Sequence, residues 1–149
     1  MSALRLAKPD DLARILPMVE AFHQHMGIKS DDAHRQAAIA PLLDGLPHGA
    51  VYLIGPNSAP VGYIVISFGW SVEFGGLDVV LDEFYVRERV RGRGMGGEAL
   101  RALMKTLSTY GVKAMSLEVD TTDAKTHALY KRLGFRLRDS YGYMSAELS

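Results

Sequence analysis

Between a β-rich run from Leu77 to Val86 and a helical run opening near Met95 lies Arg91-Gly92-Arg93-Gly94-Met95-Gly96-Gly97, the segment that most restricts how this chain can fold. Glycines here let the backbone adopt conformations closed to other residues and come close to a ligand. The helix that follows adds free N–H groups and the positive end of its dipole, which suits a phosphate. Arg87, Arg89, Arg91 and Arg93 concentrate positive charge in a chain whose Lys+Arg and Asp+Glu both number 17, for a net charge of zero. That balance argues against partners held by long-range attraction, so neither nucleic acid nor an anionic membrane is expected. An anion would have to be held by this local site.

Two phosphate-binding patterns fit the same letters. Gly92-x-Gly94-x-x-Gly97 matches a dinucleotide fingerprint, and Glu118 stands about 20 residues onward, where that fold places its ribose-binding acid. The competing pattern is Arg91-x-x-Gly94-x-Gly96. A dinucleotide turn leaves its strand almost directly into the first glycine, whereas Arg87 to Arg91 intervene here after Val86. The chain also has too few further strand–helix units for a doubly wound sheet.

The remaining elements read as a single mixed α and β domain over residues 1–149. Ala3 to Ala7 alternate like a short strand. Leu12, Ile15, Leu16, Val19 and Phe22 recur at helical spacing up to Gly27, with Asp10 and Asp11 in the first turn and Pro17 expected to kink or interrupt the helix. A second helix is predicted from Asp32 to Leu43. Ala50 to Ile54 and Val61 to Phe68 read as strands, while Gly69 to Gly76 is ambiguous between loop and strand. After the glycine segment come a helix from Met95 to Tyr110, a strand from Val112 to Val119, a helix from Asp123 to Leu133 and a last strand from Phe135 to Leu148. No cysteine is present, which excludes disulfides and thiolate metal sites. His23 and His25, two apart, fall on different helix faces, and no metal is expected. The opening Met-Ser-Ala-Leu-Arg-Leu lacks a signal-peptide layout and no apolar run nears the ~20 residues of a membrane span. The expected compartment is the cytoplasm.

Asp82-Glu83-Phe84-Tyr85-Val86 followed by Val90-Arg91-Gly92-Arg93-Gly94-Met95-Gly96 resembles the fourth strand and pyrophosphate loop of the GNAT superfamily of acetyl-CoA-dependent N-acetyltransferases. Leu129-Tyr130-x-x-x-Gly134-Phe135 resembles that family's second signature, and the element order matches over nearly the whole chain. The resemblance implies a mixed, mostly antiparallel sheet with one splayed parallel strand pair, flanked by about four helices. It implies transfer of the acetyl group of acetyl-CoA to a primary amine, by direct attack in a ternary complex. The cofactor residues it points to are Phe84, Tyr85 and Val86 for pantetheine, Arg91 to Gly96 (Arg91, Gly92, Arg93, Gly94, Met95, Gly96) for pyrophosphate, and Asp123 and Tyr130 nearby. Where the family often carries Asn, this chain has Asp120 and Asp123; a carboxylate accepts hydrogen bonds but cannot donate them.

A lysine-like amine is almost wholly protonated at neutral pH, so a base or water chain must take its proton. Glu83 and Asp82 are the candidates beside the implied acetyl site; the competing role for either is a strand-end carboxylate paired with arginine. By strand alternation Asp82, Phe84 and Val86 share one face and Glu83 and Tyr85 the other, and a bulge would favour Asp82 instead. Tyr130 would lie near the thioester sulfur and stabilise its developing charge. Substrate choice is assigned to the two N-terminal helices and the Trp70–Gly76 segment, with Trp70, Glu73 and Phe74 as its contacts; Trp70, Glu73, Phe74, Gly75 and Gly76 together resemble a combination in bacterial members. Trp70, Phe74, Tyr141 and Tyr143 either line an acceptor groove or close the core or a homodimer interface. The acceptor is a small-molecule or protein amine. The alternatives are a non-catalytic acyl-CoA-binding module and, behind it, a dinucleotide-binding protein.

Overall fold

The computed structural model describes residues 4–149, which leaves Ala3 of the first expected strand outside. The chain runs β1 (Leu4–Leu6), a 3-10 turn (Pro9–Asp11), α1 (Leu12–Met26), α2 (Asp32–Leu43), β2 (Gly49–Ile54), β3 (Gly62–Ser71) and β4 (Gly76–Val86). A second 3-10 turn (Glu88–Val90), α3 (Met95–Thr109), β5 (Ala114–Ser116) and α4 (Ala124–Arg132) follow. The strands lie in the order β1-β2-β3-β4-β5; the first three pairings are antiparallel and β4–β5 is parallel.

The uninterrupted apolar run Tyr63-Ile64-Val65-Ile66 explains the layering, because a strand that is apolar on both faces must be covered on both. Tyr63 and Val65 face Ile15, Met18 and Val19 of α1 and Ile39 and Leu43 of α2, in a core shared with Val51, Leu53 and Tyr85. Ile64 and Ile66 face Leu100, Leu103 and Leu107 of α3 and Tyr130 of α4, together with Val79 and Leu81. Asp11, expected merely to favour the first turn of a helix, is buried and forms a bidentate pair with Arg5, both bonds at 2.9 Å.

Four expectations change. α1 continues unbroken through Pro17, whose side chain is exposed, so the carbonyl it leaves without an N–H partner faces water while Ile15, Met18 and Val19 hold the helix down. The segment around Trp70 is neither loop nor strand alone: β3 runs to Ser71, four turn residues follow, and β4 begins at Gly76. The strand expected over Val112 to Val119 contracts to Ala114–Ser116, because β4 pairs with it only over Asp78 to Val80. No strand forms from Phe135 to Leu148 among the described residues. Asp139 and Ser140 close a turn there, the Tyr141 N–H donating to the Arg138 carbonyl at 3.1 Å, which divides the run in two. Phe135 alone of that run packs into the α3-side core, while Tyr141, Tyr143, Met144 and Leu148 are exposed, which removes the core role for the two tyrosines.

Candidate functional site

Past Val80 and Ser116 the parallel pair parts, so the edge of β4 from Leu81 to Val86 has no strand partner among the described residues. The opening coincides with an irregularity in β4. Val65 lies opposite Glu83 and Ile66 opposite Leu81, leaving Asp82 as an extra residue. Such a bulge bends a strand and re-aims its side chains. Here it sits before Glu83, so Glu83 stays in step with Tyr85 toward α1 while Phe84 and Val86 face α3. That α1-facing side is lined by the core around Tyr63.

Glu83 is consequently held rather than solvated. Its Oε1 accepts from the hydroxyl of the fully buried Tyr63 at 2.7 Å, and its Oε2 lies 2.7 Å from Nε2 of His23. His23 comes from the last turn of α1, and its Nδ1 lies 2.8 Å from the Ser30 hydroxyl, which also accepts from Arg35 at 2.9 Å. Burial, then the Glu83 charge, pushes the Tyr63 phenol far up. Asp82 projects from the bulge. Partial burial raises its carboxyl above the usual value, repulsion from Glu83 and Glu118 adds to this, and His23 opposes it. Among the described residues neither carboxylate is paired with an arginine. Tyr63, Ser30 and Arg35 were not singled out from sequence, and His23 was read only against His25 as a metal pair, although it falls four residues after Val19 on the buried stripe of α1.

The glycine turn lies just beyond the open edge. Gly92 and Gly94 have φ of +82° and +77°, and a Cβ on either would meet nothing within 4 Å. Those positions combine a left-handed backbone with unfilled space outside. Gly94 is the N-cap of α3 and offers no side chain to cap it, so the first N–H groups of the helix stay free of its own ladder. Gly96 and Gly97 serve packing. A Cβ on Gly96 would lie 2.9 Å from Val86 Cγ2 and 3.1 Å from Phe84 Cζ, and one on Gly97 would lie 3.1 Å from Leu129 Cδ1. The last glycine of the dinucleotide-like pattern is therefore explained by α4. Arg91 folds back: its N–H donates to Glu88, its Nε donates to the Val86 carbonyl at 2.7 Å, and its guanidinium lies 5.7 Å from the centre of the Tyr85 ring.

Tyr130 is buried against Phe84 and Phe135, with ring centres 6.4 Å and 5.6 Å away. Burial, then Asp123, raises its phenol to about 12. Among the described residues its hydroxyl has no hydrogen-bond partner, and no fully buried side-chain polar atom is left unpaired, so that oxygen reaches the surface. Asp123 is the N-cap of α4, accepting from the Thr126 N–H at 3.1 Å and hydroxyl at 2.8 Å. Asp120 accepts from the N–H and hydroxyl of Thr122. These hydrogen bonds lower both carboxyls. Trp70 and Phe74 are exposed at the end of the β3–β4 hairpin; Trp70 is five residues along β3 from Val65, the partner of Glu83, and hence roughly 17 Å away. Glu73 there is bonded to Arg138 at 2.6 Å.

The profile of the acetyltransferase (GNAT) family matches residues 16–135. The chain is 25% identical over 133 residues to the uncharacterized N-acetyltransferase YhfO of Bacillus subtilis, covering 89% of this chain and 88% of that one. It is 32% identical over 72 residues to the L-methionine sulfoximine/L-methionine sulfone acetyltransferase of Pseudomonas aeruginosa, covering 48% of this chain and 42% of that one. Among solved structures, the integron cassette protein HFX_CASS3 from the mobile metagenome of Cole Harbour Salt Marsh has a TM-score of 0.84 at 28% identity, covering 99% and 91% of the two chains. With these likenesses, the splayed sheet and its glycine turn define an acyltransferase. The chain belongs to the GNAT family of acetyltransferases.

Proposed function

We propose that this protein moves the acetyl group of acetyl-CoA onto a primary amine by direct attack in a ternary complex, with Glu83 taking the proton from the amine directly or through one water. The observation that carries this is the position of Glu83: a half-buried carboxylate, oriented by two hydrogen bonds, where β4 loses its strand partner.

The residues present fit the cosubstrate. The empty space beside Gly92 and Gly94, with the free N–H groups opening α3, suits a pyrophosphate. The unpaired edge of β4 from Leu81 to Val86 offers backbone donors and acceptors to an amide-bearing arm such as pantetheine. When bound, acetyl-CoA supplies an activated thioester. Gly96 holds the turn of α3 against Phe84 and Val86, which sets the glycine turn beside that edge. Arg91 orders the turn from within through Val86 and Tyr85, leaving Arg93 as the side chain there with no internal partner among the described residues.

Glu83 keeps lone pairs on both oxygens beyond those used by Tyr63 and His23, so it can accept the amine proton without releasing either partner. Asp82, Glu83 and Glu118 gather negative charge at the opening, which favours a cationic acceptor. Because Glu73 is bonded to Arg138, Trp70 and Phe74 would recognise parts of the acceptor remote from its amine. Tyr130 acts as a hydrogen-bond donor. A phenol near 12 lies some 3.5 units above an ordinary thiol, so protonating the leaving thiolate outright would be uphill by about 5 kcal/mol.

Ligand-dependent thermal stabilisation tests the first half of the proposal: acetyl-CoA and CoA raise Tm and NAD does not. Thiol release with spermidine, kanamycin, L-methionine sulfone and an alanine-initiated peptide tests the second half. Stabilisation without release from any amine would favour a non-catalytic acyl-CoA-binding module.

A further inference from the structure

Glu83 ends a chain of four side chains drawn from three elements and a loop. Arg35 of α2 donates to the Ser30 hydroxyl at 2.9 Å, Ser30 lies 2.8 Å from His23 Nδ1, and His23 Nε2 lies 2.7 Å from Glu83. Arg35 and His23 are buried, at 6% and 8% exposure, so these contacts are not incidental surface encounters. One set of directions satisfies every donor in the chain. A guanidinium only donates, so the Ser30 oxygen is an acceptor toward Arg35 and its hydrogen remains to be given elsewhere. Giving it to Nδ1 leaves the imidazole proton on Nε2, where it points at Glu83.

We propose that His23 is a positioning residue for Glu83, held as the Nε2–H tautomer by Ser30 and Arg35 and keeping the carboxylate aimed at the opening. The inference rests on the acetyl-transfer reading above and deepens it. Tyr63 holds Oε1 and His23 holds Oε2, so rotation of the carboxylate is stopped from both sides. His23 does not receive the amine proton, since its Nε2 already carries one; that proton stays on Glu83 until water removes it. Tyr63 of β3 bonds Glu83, and Asp82 of β4 acts on both His23 and Glu83; Glu20 of α1 and Asp32 of α2 stand against Arg35, Tyr85 of β4 packs on Tyr63, and Glu118 beyond β5 acts on Asp82. Arg35 is itself neutralised by Glu20 at 3.2 Å and by Asp32, which leaves it as an anchor for Ser30 and not as a free charge near the carboxylate.

Two measurements on the intact protein test this. Long-range 1H–15N NMR of wild type near neutral pH should show His23 as the Nε2–H tautomer, with the preference lost in Ser30→Ala; a predominant Nδ1–H tautomer would overturn the assignment whatever the activity. In kinetics, with the best amine of the panel, His23→Phe should lower kcat roughly 10- to 100-fold with KM for acetyl-CoA unchanged. His23→Gln, whose amide can still donate to Glu83, should recover most of that loss. In a Glu83→Gln background, His23→Phe should change the rate by no more than about twofold, because the partner it serves is gone. Equal losses in both backgrounds, or a Gln variant as slow as Phe, would reduce His23 to a packing residue. Wild type that acetylates no amine would overturn the acetyl-transfer reading and the kinetic role with it, while the tautomer would still decide the pairing.

Discussion

At the scale of single residues, the opening in the sheet gives neighbouring side chains different work. Asp82 and Glu83 are adjacent carboxylates, yet the bulge leaves one projecting and turns the other into contact with Tyr63 and His23. Tyr130 is governed by burial, which raises its phenol to about 12 and suits it to donate a hydrogen bond, not a proton. Tyr130→Phe keeps the ring between Phe84 and Phe135, so Tm and acetyl-CoA affinity should hold while kcat falls about 10- to 100-fold, the worth of one hydrogen bond to a charged group. Steady-state kinetics beside a melting curve checks this, and an unchanged kcat would leave Tyr130 a core residue only. Asp11 makes the clearest pH prediction. The Arg5 hydrogen bonds hold its carboxyl down to about 2, below the 3.8 expected of an unfolded chain. A lowered value stabilises the fold above the unfolded pKa and is lost as pH falls through the folded one, so the pair contributes about 2 kcal/mol near neutral pH. Asp11→Asn should lose that amount at pH 7 in denaturant unfolding, with the gap to wild type closing between about pH 4 and pH 2.

Among the elements, the turn into α3 shows glycines chosen for opposite reasons. At Gly94 the space is open and φ is +77°. Gly94→Val should lower Tm slightly through backbone strain and weaken CoA binding by at least tenfold, by placing a side chain where a phosphate would sit; equal affinity in a folded variant would move the site elsewhere. At Gly96 the space is filled by Val86 and Phe84, so Gly96→Ala should lower Tm even though alanine is the better helix former. Much of this was legible in the sequence. α2 was expected over Asp32 to Leu43 and forms there, and α3 begins at Met95 as expected. The glycine turn and the strand before it were also readable, because each depends on local periodicity; the bulge at Asp82 and the core that lines the face of Glu83 were not. What could not be read depends on contacts distant in sequence. Glu83 and His23 are sixty residues apart, and a histidine on a buried helical stripe does not announce its partner. The final strand failed for a related reason: alternation from Phe135 onward ignored the turn that Asp139 and Ser140 make, and ladder partners are not encoded locally.

For the whole molecule, two helical layers close on a sheet that is apolar on both faces, and among the described residues β4 and β5 part beside Glu83 and the glycine turn. The family match over residues 16–135 and the likeness to a solved structure along 99% of the chain establish the scaffold. Among the described residues no helix is long and apolar enough to cross a membrane. The scaffold does not choose the amine; the acidic opening and the exposed hairpin end with Trp70 and Phe74 are where that choice would be made. Trp70→Ala should change the ranking of amines in the panel while leaving CoA affinity intact, and an unaltered ranking would remove the hairpin from acceptor recognition. The most direct measurement of the central claim is thiol release by wild type and Glu83→Gln across pH 6 to 10, with saturating acetyl-CoA and one accepted amine. The variant should bind acetyl-CoA as wild type does and turn over about 10²- to 10⁴-fold more slowly at neutral pH. Its deficit should shrink toward high pH, where the amine reaches the site already neutral. A Glu83→Gln rate equal to wild type at neutral pH, or a deficit that stays constant up to pH 10, would contradict proton removal through Glu83.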